Sequence, residues 1–149
     1  MTASSEGRAY FDTSFLAKCY LLEDGSAEVR RQAEELRPIC CSRFGRVELA
    51  AAIQRARRER RITDGARVAI LAQWRSDDES ELWEWLPISE AVQDEARRRL
   101  LELPNDLPLR ASDAIHLATA RLNGFDDFWS ADVKQLAAAA HFGLEGRRV

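Results

Sequence analysis

The stretch RAYFDTSFLAKCYLLE, residues 8–23, predicts the fold class, because a strand passes directly into a helix within it. Residues 8–12 form a short apolar run that is typical of a buried strand, and the following residues have helical character. Asp12 closes the predicted strand. A carboxylate here has an ordinary explanation, because Asp often accepts hydrogen bonds from the free N–H groups of a helix's first turn.

The same alternation of strand and helix continues along the chain. Further helices are predicted at 25–37, 43–61, 63–79, 90–103, 109–124 and 131–143, and further strands at 38–42, 83–89 and 126–130, with 144–149 as a last candidate. The predicted helix ends are Ser26 and either Thr63 or Asp64 as N-caps, and Gly143 as a C-cap. Such alternation needs crossover connections. We therefore expect one α/β domain over residues 1–149, with a central, mostly parallel sheet of four or five strands flanked by about seven helices.

The composition indicates a globular protein, with 46% hydrophobic and 32% charged residues. No apolar run approaches the roughly 20 residues that span a bilayer, and MTASSEGRAY lacks a signal-peptide pattern. We therefore expect a cytoplasmic protein with no membrane contact.

Cys19, Cys40 and Cys41 are too few and too irregularly spaced for a disulfide framework or a zinc site, and the adjacent pair is expected to be buried.

Positive charge is concentrated in one segment, although the net charge of −3 excludes a polycation that binds nucleic acid by bulk attraction. Residues 43–61 carry seven arginines, which are Arg43, Arg46, Arg55, Arg57, Arg58, Arg60 and Arg61. This segment has two interpretations. It is either a solvated helix face or a strip that contacts phosphates.

Three acidic residues fall near the predicted carboxyl edge of the sheet, where ligands bind in open parallel sheets. Asp12 ends the first strand, Asp132 follows the strand at 126–130, and Asp113 opens the helix at 109–124. Each has a capping alternative. Asp12 could cap the first helix, and Asp113 could cap the helix at 109–124. Ser130 could cap the last helix, with Asp132 favoured there by the positive end of the helix dipole.

Glu48 has no capping explanation, because it lies well inside the third predicted helix. Its neighbours on the helical wheel are apolar, and Arg55 is near enough to pair with it. Without a cation or hydrogen bonds, a carboxylate beside a core-facing stripe costs several kcal/mol. A cluster of four such acids becomes tolerable when hard divalent cations neutralise it, and two such ions can cleave a phosphodiester with activated water.

The two histidines, His116 and His141, are expected to have structural roles.

Four motifs in order carry a family resemblance: FDTSFL (11–16), RVELAAAIQR (46–55), LRASDAIHLATA (109–120) and FWSADVKQL with HFGL (128–144). Together they resemble the PIN-domain proteins, and within them the VapC-type ribonuclease toxins of bacterial toxin–antitoxin pairs. The likeness covers nearly the whole chain. The segment 62–108 is its least diagnostic part.

The resemblance implies both a site and a function. Asp12, Glu48, Asp113 and Asp132 match the family's acidic residues, which are catalytic and bind metal, and Ser14 and Ser130 match the hydroxyl residues that support them. It further implies one or two Mg²⁺ or Mn²⁺ ions, cleavage of RNA, a homodimer, and inhibition by an antitoxin protein whose C-terminal segment occupies the site.

The arginines have two interpretations each. Arg110 could contact a substrate phosphate or pair with a neighbouring acid, and Arg43, Arg46 and the cluster at 55–61 could guide RNA.

Two other functional classes remain open. A metal-dependent phosphatase would have a second Asp where FDTSF has Ser14, and a receiver domain would have an acidic pair after the first strand. A non-catalytic PIN-like module could bind RNA or protein without cleaving it, but it would have little reason to retain four mutually repelling acids.

Overall fold

The computed structural model describes residues 7–36 and 38–148, and within them five strands and seven α-helices. In chain order the elements are β1 (Ala9–Tyr10), α1 (Thr13–Lys18), α2 (Ser26–Glu35), β2 (Ile39–Ser42), α3 (Phe44–Arg58), α4 (Asp64–Glu79), β3 (Trp83–Leu86), α5 (Glu90–Glu102), α6 (Ala111–Leu122), β4 (Asp127–Trp129), α7 (Val133–Ala139), a 3₁₀ turn (Ala140–Phe142) and β5 (Glu145–Arg147).

The strands pair in parallel throughout. One group has the order β1-β2-β3, and β4 pairs with β5. A parallel bridge between Phe11 and Trp129 joins the two groups, and the Asp12 N–H donates to the Trp129 carbonyl at 3.0 Å. The strand order is therefore β3-β2-β1-β4-β5. The prediction of a parallel α/β sheet with four or five strands and about seven helices is confirmed.

Alternate residues of the central strands feed two hydrophobic cores, one on each face of the sheet. In β2, Ile39 and Cys41 enter one core and Cys40 enters the other. In β1, Tyr10 enters the second core, while Ala9 and Phe11 enter the first. This alternation is expected of strands with both faces covered. The prediction that Cys40 and Cys41 are buried is confirmed, and both are free thiols.

Several helix ends differ from the sequence prediction. The first helix stops at Lys18 instead of extending to residue 23, and the chain then turns until Gly25, whose φ of +82° lies in the left-handed region. Ser26 does not cap α2, because its hydroxyl donates to the Leu21 carbonyl at 2.9 Å. Thr63 caps α4 as expected, with its Oγ1 accepting from Ala66 N at 3.0 Å. Gly143, at φ +72°, ends the last helical turn as predicted.

Parallel pairing brings the carboxyl ends of β1, β2 and β4 to the same edge of the sheet. Asp12 follows β1, α3 follows β2, and Ser130 to Asp132 follow β4. Within residues 7–36 and 38–148, no helix is both long and apolar enough to cross a membrane.

Candidate active site

Asp12 is almost entirely buried, at 3% exposure, and both of its carboxylate oxygens accept hydrogen bonds. Oδ1 accepts from Ser14 Oγ at 2.7 Å and from Phe15 N at 3.0 Å, and Oδ2 accepts from Ser130 Oγ at 2.6 Å. Burial raises the pKa of Asp12, and the hydrogen bonds from Ser130 and Ser14 offset this only in part. The residue therefore caps α1 and also places a buried carboxylate at the sheet edge.

Asp132 and Ser130 hold the turn that follows β4. Asp132 Oδ1 accepts from Lys134 N at 2.9 Å and from Gln135 N at 3.3 Å, so Asp132 caps α7. The alternative in which Ser130 caps this helix is wrong, since its hydroxyl donates to Asp12 and accepts from Asp132 N at 2.9 Å. Ser130 thus connects the two acids from opposite ends of the sequence.

Asp113 lies inside the first turn of α6 and does not cap it. The cap position belongs to Arg110, which makes no capping side-chain hydrogen bond. Instead, Arg110 Nε donates to Asp113 Oδ2 at 3.1 Å, and Arg110 Nη2 lies 4.0 Å from Asp132 Oδ2. The Asp113 side chain is 7% exposed and that of Arg110 is 77% exposed. Of the two interpretations of Arg110, the structure therefore shows the one in which it pairs with neighbouring acids. Its side chain lies on the solvent side of Asp113.

Glu48 reaches the site from the face of α3 that is directed towards α1. Its Oε1 accepts from Thr13 Oγ1 at 2.8 Å and contacts His116 Nε2, so its partners are these two residues rather than Arg55. Burial raises the pKa of Glu48, but the hydrogen bonds from His116 and Thr13 outweigh it, and the net pKa is lowered. Glu48 is therefore ionised, and it accepts a hydrogen bond from Thr13, the residue that follows Asp12 in the chain.

His116 was expected to have a structural role, and the structure places it in contact with Glu48, one of the four acids. It is buried, and its Nδ1 lies 2.8 Å from Tyr10 Oη, which also accepts from Ser42 N at 3.0 Å. Sequence reasoning missed Tyr10, Thr13 and His116 as neighbours of the acids. One signal was available, since His116 follows Asp113 by three positions and so lies on the same side of α6.

Ser130 and Arg110 connect Asp12, Asp113 and Asp132, and Glu48 bonds to Thr13, the residue after Asp12, and to His116. In the described part of the chain, however, no three Asp, Glu, His or Cys side chains are placed to hold a metal ion together. Their oxygens instead bind hydroxyls, N–H groups and Arg110. The donor chemistry fits a hard divalent cation, because all four are carboxylates. Asp12 adds to this fit, since it is a buried carboxylate with no cation at ion-pair distance among residues 7–36 and 38–148.

A cleft of about 510 Å³ is lined by Glu48, alone among the four acids, and by Arg110, and we name it the α3 cleft. Its lining residues come from α1, α3 and their flanks, together with Arg110: Thr13, Ser14, Ala17, Leu21, Glu23, Glu48, Ala51, Ala52, Arg55, Arg58, Arg61 and Arg110. Of the described arginines, Arg43 and Arg46 are not part of this lining. The Arg46 guanidinium lies instead 6.0 Å from the ring centroid of Trp85.

Comparisons with known proteins agree with the fold. A family model described as PIN domain matches residues 9–141. Among solved structures, the VapC20 toxin of Mycobacterium tuberculosis, described as cleaving the sarcin-ricin loop, superposes with a TM-score of 0.67. The sequences are 20% identical, over 87% of this chain and 94% of that one, so this likeness is one of fold. No curated protein matches the chain.

Proposed function

The chain belongs to the PIN-domain family, and from this premise we propose that it is an endoribonuclease that hydrolyses RNA phosphodiester bonds with Mg²⁺ or Mn²⁺. The observation that best supports the proposal is the meeting of Asp12, Glu48, Asp113 and Asp132 at one edge of the sheet. They come from four different segments. Ser130 and Arg110 connect Asp12, Asp113 and Asp132, and Glu48 accepts a hydrogen bond from Thr13, the residue after Asp12. The likeness of fold to a toxin that cleaves RNA supports the same chemistry.

The four acids are the residues that would hold one or two ions. A bound divalent ion supplies charge neutralisation and acidifies a water for attack on phosphorus. Ser14 and Ser130 fix the Asp12 carboxylate through hydrogen bonds of 2.7 and 2.6 Å. Glu48, kept ionised by its hydrogen bonds from His116 and Thr13, is placed to accept a proton from attacking water.

Arg110 has a proposed double role in this site. Without substrate it neutralises Asp113 and approaches Asp132, and its exposed guanidinium is free to turn to a phosphate when the acids bind a cation. Arg43 and Arg46 remain proposed phosphate contacts, and they lie outside the lining of the α3 cleft.

The biological setting is also proposed from the family resemblance. We propose that the protein is the toxin of a toxin–antitoxin pair, that it acts in the cytoplasm as a homodimer, and that a cognate antitoxin protein blocks the site. The likeness to VapC20, itself described as a toxin, supports this setting. The single-domain extent of 1–149 is likewise proposed, with the family match covering 9–141.

One observation favours a second candidate, a non-catalytic PIN-like module that binds RNA or protein. Arg110 already neutralises part of the acidic cluster, and no three potential metal ligands of the described residues are placed around one point. A module of this kind would retain the fold and the α3 cleft but would not cleave RNA.

The decisive experiment incubates the purified chain with total RNA and with a sarcin-ricin loop oligonucleotide, in Mg²⁺, in Mn²⁺ and in EDTA. Asp12→Asn removes the central carboxylate, and Asp106→Asn, at an exposed loop position, is the matched control. We expect cleavage by the parent chain and by Asp106→Asn, and none with EDTA or Asp12→Asn. Cleavage that survives both treatments, or no cleavage with any divalent ion, would contradict the proposal, and the latter would favour the non-catalytic module.

A further inference from the structure

The α3 cleft extends from Glu48 along one face of α3. Glu48, Ala51, Arg55 and Arg58 recur at helical spacing, so their side chains fall on the same face of the helix. All four line the cleft, and Arg110 lines it at the end near the acids. At a rise of 1.5 Å per residue, Arg55 lies roughly 10 Å and Arg58 roughly 15 Å along the helix from Glu48.

Unlike Arg57 and Arg61, Arg55 and Arg58 have no ion-pair partner among residues 7–36 and 38–148. Arg57 pairs with Asp64, and Arg61 pairs with Glu59 at 2.9 Å. Both Arg55 and Arg58 are exposed. Two unneutralised guanidiniums one turn apart in a cleft attract an anionic ligand with repeated charges.

The floor between Glu48 and Arg55 is formed by Ala51 and Ala52. Their methyl side chains leave room for a ligand backbone to lie close to the helix. Asp12 and Asp113 are only 3% and 5% exposed, so a scissile phosphate reaches them only from a strand that can splay, as single-stranded segments of RNA do.

We propose that the α3 cleft holds the single-stranded RNA segment that flanks the scissile bond, with Arg55 and Arg58 contacting successive phosphates of its backbone. This inference rests on the proposed ribonuclease function and specifies how that substrate is held. The contacts are to phosphates, so they position the strand without selecting its sequence. An acidic polypeptide is the competing occupant, and the experiment below distinguishes the two.

The test measures RNA binding separately from cleavage, in a chain that carries Asp12→Asn. The probe is a fluorescein-labelled, unstructured oligoribonucleotide of about 12 nucleotides, and its anisotropy is followed from about 50 to 200 mM KCl. Arg55→Gln and Arg58→Gln each remove one proposed contact. Arg75→Gln, on α4 outside the cleft, and Arg97→Gln, on α5, are the matched charge controls.

We expect each cleft variant to weaken RNA binding about fivefold near 0.1 M salt and to reduce the salt slope by about 0.7, since each contact releases condensed counterions. The two controls change the affinity less than about twofold, because they alter only the general charge. Circular dichroism checks that all variants are folded.

Each alternative outcome has a defined meaning. If the parent cleaves RNA and the Asp12→Asn chain binds it, but the cleft variants bind as their parent does or the controls lose as much, the inference is overturned and the ribonuclease proposal stands. If the chain neither binds nor cleaves RNA, both are overturned. If Arg55→Gln and Arg58→Gln weaken binding of poly-glutamate but not of RNA, the cleft accepts an acidic polypeptide and the inference fails.

Discussion

The proton arrangement around His116 follows from the hydrogen bonds of Tyr10. Burial raises the pKa of Tyr10 well above its ordinary value, so the hydroxyl keeps its proton. Since Tyr10 Oη accepts from Ser42 N at 3.0 Å, its own proton is directed to His116 Nδ1 at 2.8 Å. The remaining ring nitrogen then carries the imidazole proton and donates it to Glu48. Tyr10, which lies on one face of the sheet, thereby fixes the direction of the hydrogen bond between His116 and Glu48.

Tyr10→Phe tests this chain of hydrogen bonds. We expect the free energy of unfolding to fall by about 1–2 kcal/mol, because buried polar groups of Ser42 and His116 lose a partner. RNA cleavage is expected to fall about tenfold, because the imidazole no longer has a fixed proton position towards Glu48.

The chain's other tyrosine provides the control. Tyr20 Oη donates to Asp77 at 2.6 Å and accepts from Trp83, away from the acids. Tyr20→Phe should cost similar stability in chemical denaturation while leaving the cleavage rate unchanged. Equal loss of cleavage in both variants would show that the effect is general destabilisation.

At the scale of single residues, the sequence was informative about the acids and less so about their partners. Strand ends and motif order named Asp12, Glu48, Asp113 and Asp132 as candidates, and their role as a metal site stays a prediction. The structure links Asp12, Asp113 and Asp132 through Ser130 and Arg110, and it pairs Glu48 with Thr13 and His116. Their capping alternatives could be decided only by geometry, since Asp12 and Asp132 cap helices and Asp113 does not. His116 could not be identified from the sequence as a partner of Glu48, because 68 positions separate them.

Helix α3 combines three roles along its length. Its buried residues, among them Leu49 and Ile53, pack in the core, while Glu48 is directed to the acids and Arg55 to the α3 cleft. One helix therefore fixes the distance between the acids and the arginines, and that distance does not depend on a flexible loop.

Ala51→Glu tests the cleft at the level of this helix. The new carboxylate stands four positions before Arg55, an arrangement that stabilises helices by a few tenths of a kcal/mol, so the free energy of unfolding should stay within about 0.5 kcal/mol of the parent. RNA binding should weaken at least about fivefold, because the glutamate neutralises Arg55 and repels phosphate. Ala50→Glu, exposed on the same helix and outside the cleft lining, carries the same charge and should bind nearly as the parent does. Equal binding by the two glutamate variants would contradict the assignment of the cleft.

Element prediction succeeded where periodicity decides and failed where tertiary contacts decide. The helices predicted at 63–79 and 90–103 begin and end within one or two residues of α4 and α5. The helix predicted from Thr13 to residue 23 ends instead at Lys18. Beyond it, Tyr20 and Leu21 are buried in the core in a turn that the apolar pattern does not distinguish from a helix. Periodicity reports which residues are buried, and backbone hydrogen bonds decide where the helix stops.

For the whole molecule, the burial of Asp12 predicts a cost in stability. The folded pKa of Asp12 is raised above its ordinary value of 3.8, so between these two values the folded chain keeps a proton that the unfolded chain has lost. The contribution of Asp12 to stability therefore falls as the pH rises through this window. In the absence of divalent ions, we expect Asp12→Asn to raise the free energy of unfolding near pH 7, and to raise it by less near pH 4.

Urea denaturation at several pH values measures this difference directly, with Asp106→Asn as the control for removal of an exposed carboxylate. A difference between Asp12→Asn and the parent that grows towards acid pH would have the opposite sign and would contradict the prediction.

The parallel sheet has a consequence for how the protein is made. The Ser130 hydroxyl that holds Asp12 lies 118 positions further along the chain, and β1 pairs through Phe11 with Trp129. Because translation adds residues in order, Asp12 cannot meet Ser130 until β4 and the turn after it have left the ribosome. A nascent polypeptide that stops before Ser130 therefore lacks the hydroxyl that holds Asp12, so the proposed site forms only after β4 and the turn that follows it have been synthesised.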